Sequence, residues 1–434
     1  MCIRDSISSL STVSNVIRSV SCCDDLAEAD TLTVDEARRQ IIDKINPITS
    51  SEKLSLRNAL SRILAEDIIS PLDVPGHTNS AMDGYAVSGN DLPQSGEQIY
   101  QVIGKSLAGA PFNGNCNAGQ CVRIMTGAVM PDGTDTVIMQ EHVAATATDT
   151  VQIGDGHRPG QNVRQAGEDI SAGGTVLQTS HKLTPADLGI LSSLGIGEVK
   201  VRRRPRVAFF STGDELRSIG ESLAEGDVYD SNRYSLYGML KRLDVEILDM
   251  GVVKDDIDEL RNAFSNAASM ADVVITSGGV SVGEADYIKP ILEQTGEINF
   301  WKIAMKPGRP LTHGRIGNSL FFGLPGNPVA VMVTFYQFVQ PALNYLASGT
   351  ESLPWTMLAT SSNNINKRPG RYEFQRGILE QGAGGQLTVR KTGQQGSGVL
   401  TSMSRANCFI LLPENCGGVS AGDEVRVQLF DTFI

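Results

Sequence analysis

Between Asp272 and Pro328 this chain sets Gly- and Pro-rich loops directly behind short apolar runs. The first run, Asp272-Val273-Val274-Ile275-Thr276, is β-branched and bounded by turn residues, so it reads as a buried strand. Ser277-Gly278-Gly279-Val280-Ser281-Val282-Gly283 follows, then Glu284-Ala285-Asp286-Tyr287. Glycines behind a strand allow a sharp turn and leave N–H groups bare near the next helix start, where anions bind. Asp286 would add a carboxylate beside such an anion, a pairing that suggests a bridging Mg²⁺. Trp301-Lys302, Lys306-Pro307-Gly308-Arg309-Pro310 and Gly323-Leu324-Pro325-Gly326-Asn327-Pro328 then supply cations and a second Gly/Pro loop. One Gly-Gly pair alone is as well explained by an unliganded turn. Successive loops behind strands are not, because in open α/β sheets they converge on one crevice.

The flanking pattern supports such a sheet. Val207 to Phe210 reads as a strand, Asn232 to Leu243 as a helix, and Val245 to Met250 as a strand. Asp256 to Ala268 carries Ile257, Leu260, Phe264 and Ala267 on one face and reads as an amphipathic helix. Strands alternating with helices predict a parallel α/β domain over 204–348. A long apolar helix, Val329 to Leu346, closes it, with a kink expected at Pro341.

Elsewhere β signals dominate. Residues 71–168 are rich in glycine and short strands, with turn signals every 8–12 residues, and read as a β-rich lobe. Residues 349–434 contain five strand-like runs, Met357 to Thr360, Phe374 to Glu380, Leu387 to Arg390, Asn407 to Leu412 and Glu424 to Phe430, expected to form a small barrel or sandwich. Thr33-Val34-Asp35-Glu36 predicts a capped helix stopped by Pro47, and a second helix is expected over Leu56 to Leu64. Thr184-Pro185 predicts another helix start, with Gly195 closing that helix after Leu194. Residues 1–30 are Ser-rich and end in an acidic patch; the expectation is a disordered leader outside the functional protein.

Charge and cysteine content narrow the class. A net charge of -12 argues against a general nucleic-acid or anionic-membrane binder, so an anionic ligand needs a local cluster such as Lys302, Lys306 and Arg309. Seven cysteines without a C-x-x-C indicate neither a disulfide framework nor a zinc site, and no apolar run reaches membrane length. The chain reads as cytoplasmic. Asp83, Asp169, Glu215, Asp255, Asp256 and Asp286 stand beside glycines or at strand ends, where each alone could be a turn or cap residue. Together with the lysines they make a Mg²⁺–phosphate site, and carboxylates without nearby histidines favour a hard ion over zinc. No G-x-x-x-x-G-K-[ST] occurs, nor a G-x-G-x-x-G behind a strand, which removes P-loop and dinucleotide-binding readings. Ser281 suits a cap or phosphate ligand better than a nucleophile, Thr126-Gly127 could be a structural turn, and Arg376 could pair on a strand surface. Residues alone thus lead to an α/β enzyme or binding protein for a phosphorylated small molecule.

Longer motifs go further. Pro71-Leu72-Asp73-Val74-Pro75 with Asn79-Ser80-Ala81-Met82-Asp83-Gly84-Tyr85-Ala86, Arg123-Ile124-Met125-Thr126-Gly127-Ala128, Gly167-Glu168-Asp169-Ile170, Ser211-Thr212-Gly213-Asp214-Glu215-Leu216, the Ser277–Tyr287 stretch and Gly323–Pro328 occur in that order. In them the chain resembles the bacterial molybdopterin molybdenumtransferases (MoeA) and the E domain of gephyrin, from about Leu32 onward. The resemblance implies a multidomain α/β and β architecture. A discontinuous elongated helical segment (31–70 and 169–203) would accompany the β-rich lobe, the molybdopterin-binding domain and a C-terminal β-barrel. It implies a homodimer that takes adenylylated molybdopterin and molybdate, inserts molybdenum into the dithiolene and releases AMP with Mg²⁺. It also implies a transient contact with the molybdopterin adenylyltransferase. Matching positions implied as catalytic are Asp83, Thr126, Asp169, Glu215, Asp286, Lys302 and Lys306. Those implied in substrate binding are Ser277, Gly278, Gly279, Ser281, Asp255, Asp256, Pro325, Pro328, Arg376 and Ser397. Asp286 and Glu215 are the implied metal ligands, and Arg376 with Ser397, in a Gly/Gln-rich loop expected to be flexible, would hold molybdate. A scaffold that has lost catalysis, or a nucleotide pyrophosphatase using the α/β domain alone, are the competing expectations.

Overall fold

A computed structural model describes residues 31–147, 149–278 and 288–430. The expected leader over 1–30 lies outside them, as do Gly279, Ser281 and Asp286. The chain divides into two compact units. The first takes the described residues up to Asn46, then Pro205–Leu346 and those from Glu351; the second takes Pro47–Arg204 and Ala347–Thr350.

The first unit is built on a seven-stranded sheet. From one edge its strands are Glu246–Val253, Arg206–Thr212, Val273–Ser277, Ser319–Leu324, Pro310–Ile316, Gly296–Ile303 and Thr31–Leu32. The first four are mutually parallel. Pro310–Ile316 is antiparallel to both neighbours, so a purely parallel sheet is corrected to a mixed one with a single reversed strand. The reversal comes from a tight turn at Gly317 (φ +57°), which joins Pro310–Ile316 to Ser319–Leu324 as a hairpin rather than through a helix.

Helix Ile257–Met270 covers one face and buries Leu260, Ala263, Phe264 and Ala267. Phe264 makes edge contacts with Phe210 at 5.2 Å and Phe321 at 5.7 Å. Each such ring contributes about 1.5–3 kcal/mol of burial. Ile257, expected on this face, is instead 43% exposed, because it is the first helical residue and lies before the face meets the sheet. Helix Val34–Ile42 forms as its capping signal predicts: the Thr33 hydroxyl accepts from Glu36 N and the Glu36 carboxylate accepts from Thr33 N.

The expected single helix Val329 to Leu346 becomes an α-helix (Pro328–Thr334), a π-turn (Phe335–Val339) and a second α-helix (Gln340–Ser348). Pro341 has no N–H to give the Gln337 carbonyl four residues back. Arg38 fills the gap: its Nε donates to Gln337 O at 3.2 Å and its Nη2 to Gln337 Oε1 at 3.0 Å. The irregularity therefore lies before Pro341, as a π-turn.

All five expected C-terminal strands form. Tyr372–Gln381, Leu387–Lys391, Thr356–Ser361, Glu424–Leu429 and Cys408–Leu412 pair in that order, and the last pairs back to the first, which closes a barrel. Met305–Lys306 adds to it beside Tyr372–Glu373.

The second unit carries a six-stranded sheet with Tyr85, Val87, Tyr100 and Ile138 in its core. Helix Pro185–Ser193 starts at Thr184 as expected. The helix expected over Leu56 to Leu64 does not form. Only a 3-10 turn, Leu56–Asn58, appears there. Ser61 N and Leu64 N donate instead to Leu183 O and His181 O, so pairing with a distant segment overrides local helix propensity. Among the described residues no helix is long and apolar enough to cross a membrane.

His313 is a buried ionisable group with a measurable consequence. It is 1% exposed, lies between Trp301 and Phe322, and bonds through Nδ1 to Phe321 O at 2.9 Å. Burial pushes its pKa from 6.5 down to about 4. The folded state then binds fewer protons than the unfolded chain between those values, so stability is full above 6.5 and falls as pH drops toward 4. In urea titrations His313→Asn should show a shallower loss than the parent over this window, by about 1.4 kcal/mol per pH unit. Parallel slopes would refute the assignment.

Candidate functional site

Three neighbouring parallel strands end together at Thr212, Ser277 and Leu324, and the loops after the last two are bonded to each other. Gly278 N donates to Leu324 O at 3.2 Å, so this amide, expected to be bare, is used to extend the strand ladder by one residue. Gly278 has φ +93°, and a Cβ there would stand 2.5 Å from Thr212 O. Asn232, on helix Ser231–Lys241, donates through Nδ2 to Ser277 Oγ at 2.8 Å and to Gly326 O at 2.7 Å. That one amide ties two of the loops together.

The strand ends and the neighbouring helix start hold polar groups with spare capacity. Ser211 Oγ, Thr212 Oγ1, Thr276 Oγ1, Asp230 Oδ2 and Asn232 Oδ1 are buried without a hydrogen-bond partner. Asp230 uses its other oxygen to cap helix Ser231–Lys241 through Arg233 N. It also lines a cleft of about 710 Å³ with Tyr229, Tyr234 and Leu400. Buried polar atoms are seldom left unpaired, so this concentration marks a place prepared for a polar ligand or water.

The C-terminal barrel reaches the same loops. Ser397 O accepts from Val329 N at 3.0 Å, immediately after Pro328. Pro328 is the first residue of its helix, where a missing N–H is harmless. Arg376 is not on a strand surface but 1% exposed. Its Nη2 donates to Gly396 O at 2.9 Å and its Nε to Ser402 Oγ at 3.0 Å, while Gln395 bonds both its backbone N and O. The Gly/Gln-rich loop, expected to be flexible, is thus held at Gln395, Gly396 and Ser397. Burial pulls the Arg376 guanidinium down to about 10, and an anion beside it would reverse that penalty.

Lys302 and Lys306 enter from the sheet's other flank. The Gly296–Ile303 strand runs in the same direction as the parallel set, so Lys302 lies at the same sheet edge as Ser277. The two strands are three spacings apart, about 14 Å. Lys306 is half exposed and pairs with Glu373 Oε1 at 3.3 Å. Glu215 is exposed at the loop behind Thr212, with its carboxylate lying against Gly213. Asp255 N donates to Asp214 Oδ1 at 3.2 Å, so Asp214 organises that turn. Asp256 has a structural duty: it caps helix Ile257–Met270 through Asp258 N and Glu259 N.

Asp83, Thr126 and Asp169 belong to the second unit. Asp83 Oδ1 accepts from Thr126 N at 2.8 Å and Thr126 Oγ1 at 2.7 Å. These bonds, the backbone one first, hold its carboxyl below the ordinary range, with Arg123 adding to the effect. Thr126-Gly127 is therefore a turn and also a clamp on Asp83. Asp169 is exposed in a loop fixed by Asp73, whose Oδ1 accepts from Ala172 N at 2.7 Å, and by Val74.

Among the described residues no three His, Cys, Asp or Glu side chains gather as a metal site. Mg²⁺ commonly takes one or two carboxylates and completes its shell with phosphate and water. Glu215, in the loop behind a strand end, suits that arrangement. Asp286 lies outside the described residues.

Three family models match in chain order: "MoeA N-terminal region (domain I and II)" over residues 32–195, "Probable molybdopterin binding domain" over 208–345, and "MoeA C-terminal region (domain IV)" over 359–430. A molybdopterin molybdenumtransferase of Haemophilus influenzae is 46% identical over 92% of this chain and 99% of its own length. This chain belongs to the MoeA family. A molybdopterin molybdenumtransferase of Nostoc is 37% identical over 89% of this chain and 90% of its own length. The crystal structure of the molybdopterin biosynthesis moeA protein from Pyrococcus horikoshii OT3 superposes with a TM-score of 0.82 at 30% identity, covering 92% of this chain and 100% of that one. In this MoeA chain the strand-end loops and the held barrel loop fall within the second and third matched regions.

Sequence reasoning missed Asp230, Asn232, Asp214 and Glu373. Tyr229-Asp230-Ser231-Asn232 at a helix start is a capping signal that could have drawn notice to the first two. Glu373 had no local signal, since its partner is 67 residues away.

Proposed function

We propose that this MoeA-family chain is a molybdopterin molybdenumtransferase. It takes adenylylated molybdopterin and molybdate, cleaves the phosphoanhydride, places molybdenum on the dithiolene and releases AMP. The observation that carries this reading is the joining of the strand-end loops at Ser277 and Leu324 to each other and to the Arg376–Ser397 barrel loop.

The following roles are proposed with it. Ser277, Gly278 and Pro325 form the floor, and the spare hydroxyls of Thr212 and Thr276 suit a phosphorylated ligand. Gly279, Ser281 and Asp286 follow in the same sequence motif, and Asp255 and Glu215 are proposed beside them as ligand contacts. Lys302 and Lys306 offer ammonium groups that bind phosphate and offset charge as the phosphoanhydride opens. Arg376 orients the loop bearing Ser397 and gives molybdate a buried positive charge. Glu215 and Asp286 would hold Mg²⁺, which when bound would neutralise phosphate oxygens. Asp83, kept ionised by Thr126, and Asp169 are proposed as further catalytic groups. Family membership supports a homodimer, a cytoplasmic location and a transient contact with the molybdopterin adenylyltransferase.

The test is to incubate the purified chain with adenylylated molybdopterin, Mg²⁺ and molybdate, and to weigh the pterin product by mass spectrometry. One molybdenum per pterin is expected. Recovery of adenylylated molybdopterin alone would refute the proposal.

A further inference from the structure

Lys306 does not face its ligand alone. The short strand Met305–Lys306 runs parallel to Tyr372–Glu373 of the barrel, and Lys306 stands opposite Glu373 in the register. The pair is asymmetric. Lys306 has 53% of its side chain exposed, whereas Glu373 has 10%, and Nζ lies 3.3 Å from Glu373 Oε1. The other carboxylate oxygen accepts from Gln375 Nε2 at 2.9 Å, and Gln375 is itself 6% exposed. Glu373 is thus a buried carboxylate held from its far side by Gln375, and Lys306 is a half-exposed cation resting on it.

We propose that Glu373 is a positioning residue that competes with oxyanions for Lys306 and thereby keeps their binding weak and reversible. This rests on the assignment of Lys306 to oxyanion binding made above. An anion reaching Lys306 must share the ammonium with a carboxylate that cannot withdraw, because Gln375 holds it. The repulsion between Glu373 and that anion falls only as the inverse of distance, while the orienting benefit of Glu373 is one partly exposed contact. Repulsion therefore dominates, and removing the charge should tighten binding. For a transferase that must let oxyanions come and go, such a counterweight keeps Lys306 from holding them too long.

Glu373→Gln keeps the shape. Gln375 can turn its amide so that Oε1, buried without a partner, accepts from the new side chain, at the cost of the long 3.5 Å contact from its Nε2 to Asn366 O. Calorimetric titration of the full chain with orthophosphate and with molybdate should give a Kd roughly 5- to 50-fold lower than the parent at low salt. Glu373→Asp, which draws the charge back by one methylene, should fall between. In turnover, KM for molybdate should fall without a rise in kcat. A purely structural role would weaken binding. Equal or weaker binding in a folded Glu373→Gln protein overturns the proposal. Should that variant not fold, Glu373→Asp decides in the same way, tighter binding supporting and equal or weaker binding overturning. If the parent and Lys306→Met bind both anions equally, the assignment of Lys306 itself fails, and the proposal with it.

Discussion

Alanine at Lys306 should lower kcat/KM for molybdenum insertion by about 10²–10³-fold, the loss typical when one preorganised electrostatic group is removed from a developing anion. The fold should lose less. Lys306 is half exposed and its pairing with Glu373 reaches only 3.3 Å, but Glu373 is buried and keeps only Gln375 when the ammonium is gone. A cost of about 1–3 kcal/mol is expected, a lowered unfolding midpoint in a protein that still folds. Lys306→Arg should restore only part of the rate, because a planar guanidinium does not replace a compact ammonium. Parallel rate and urea-unfolding measurements check the pair of outcomes. A rate within threefold of the parent would remove Lys306 from the site.

Alanine at Gly278 should fail in the opposite way. Two costs coincide there: φ is +93°, and the new Cβ would meet Thr212 O at 2.5 Å. That carbonyl belongs to a central strand and cannot swing aside as a side chain would. Relief requires moving Gly278 away from Thr212, and because Ser277–Gly278 lies between that strand and Leu324, the shift distorts the Gly278 N–H bond to Leu324 O and disturbs the Asn232 bridge. A loss of about 2–4 kcal/mol in folding stability is expected, together with loss of binding to adenylylated molybdopterin. Gly326→Ala is the control, since a Cβ there meets nothing within 4 Å. It should keep the parental unfolding midpoint. Similar midpoints for all three proteins would show that the strand-end loops are not mutually braced.

What could be read in advance from the residues was what neighbours in the chain decide. Thr33 with Glu36, three residues apart, and Thr184 with the adjacent Pro185 set helix starts through local contacts, and both formed. Strand runs were legible from β-branched and apolar content, and all five barrel strands formed. Leu56 to Leu64 misled because its backbone partners, Leu183 and His181, are more than a hundred residues away. The reversed strand Pro310–Ile316 misled because direction is not written in apolar content. Pro341 signalled an interruption, but its form depended on Arg38 supplying the donor. The same divide runs through the site. Loops behind strands pointed to Ser277, Gly278, Pro325 and Glu215. The Asn232 bridge, the orphaned Thr212 and Thr276 hydroxyls, the burial of Arg376 and the Glu373 counterweight all depend on segments meeting in space.

The most direct measurement is AMP release from adenylylated molybdopterin by the purified chain with Mg²⁺, with and without molybdate. Molybdate-dependent AMP release, with one molybdenum-loaded pterin formed per AMP, is the result expected. Tight binding of adenylylated molybdopterin without AMP release under either condition would contradict it and leave a scaffold that keeps the fold without the reaction.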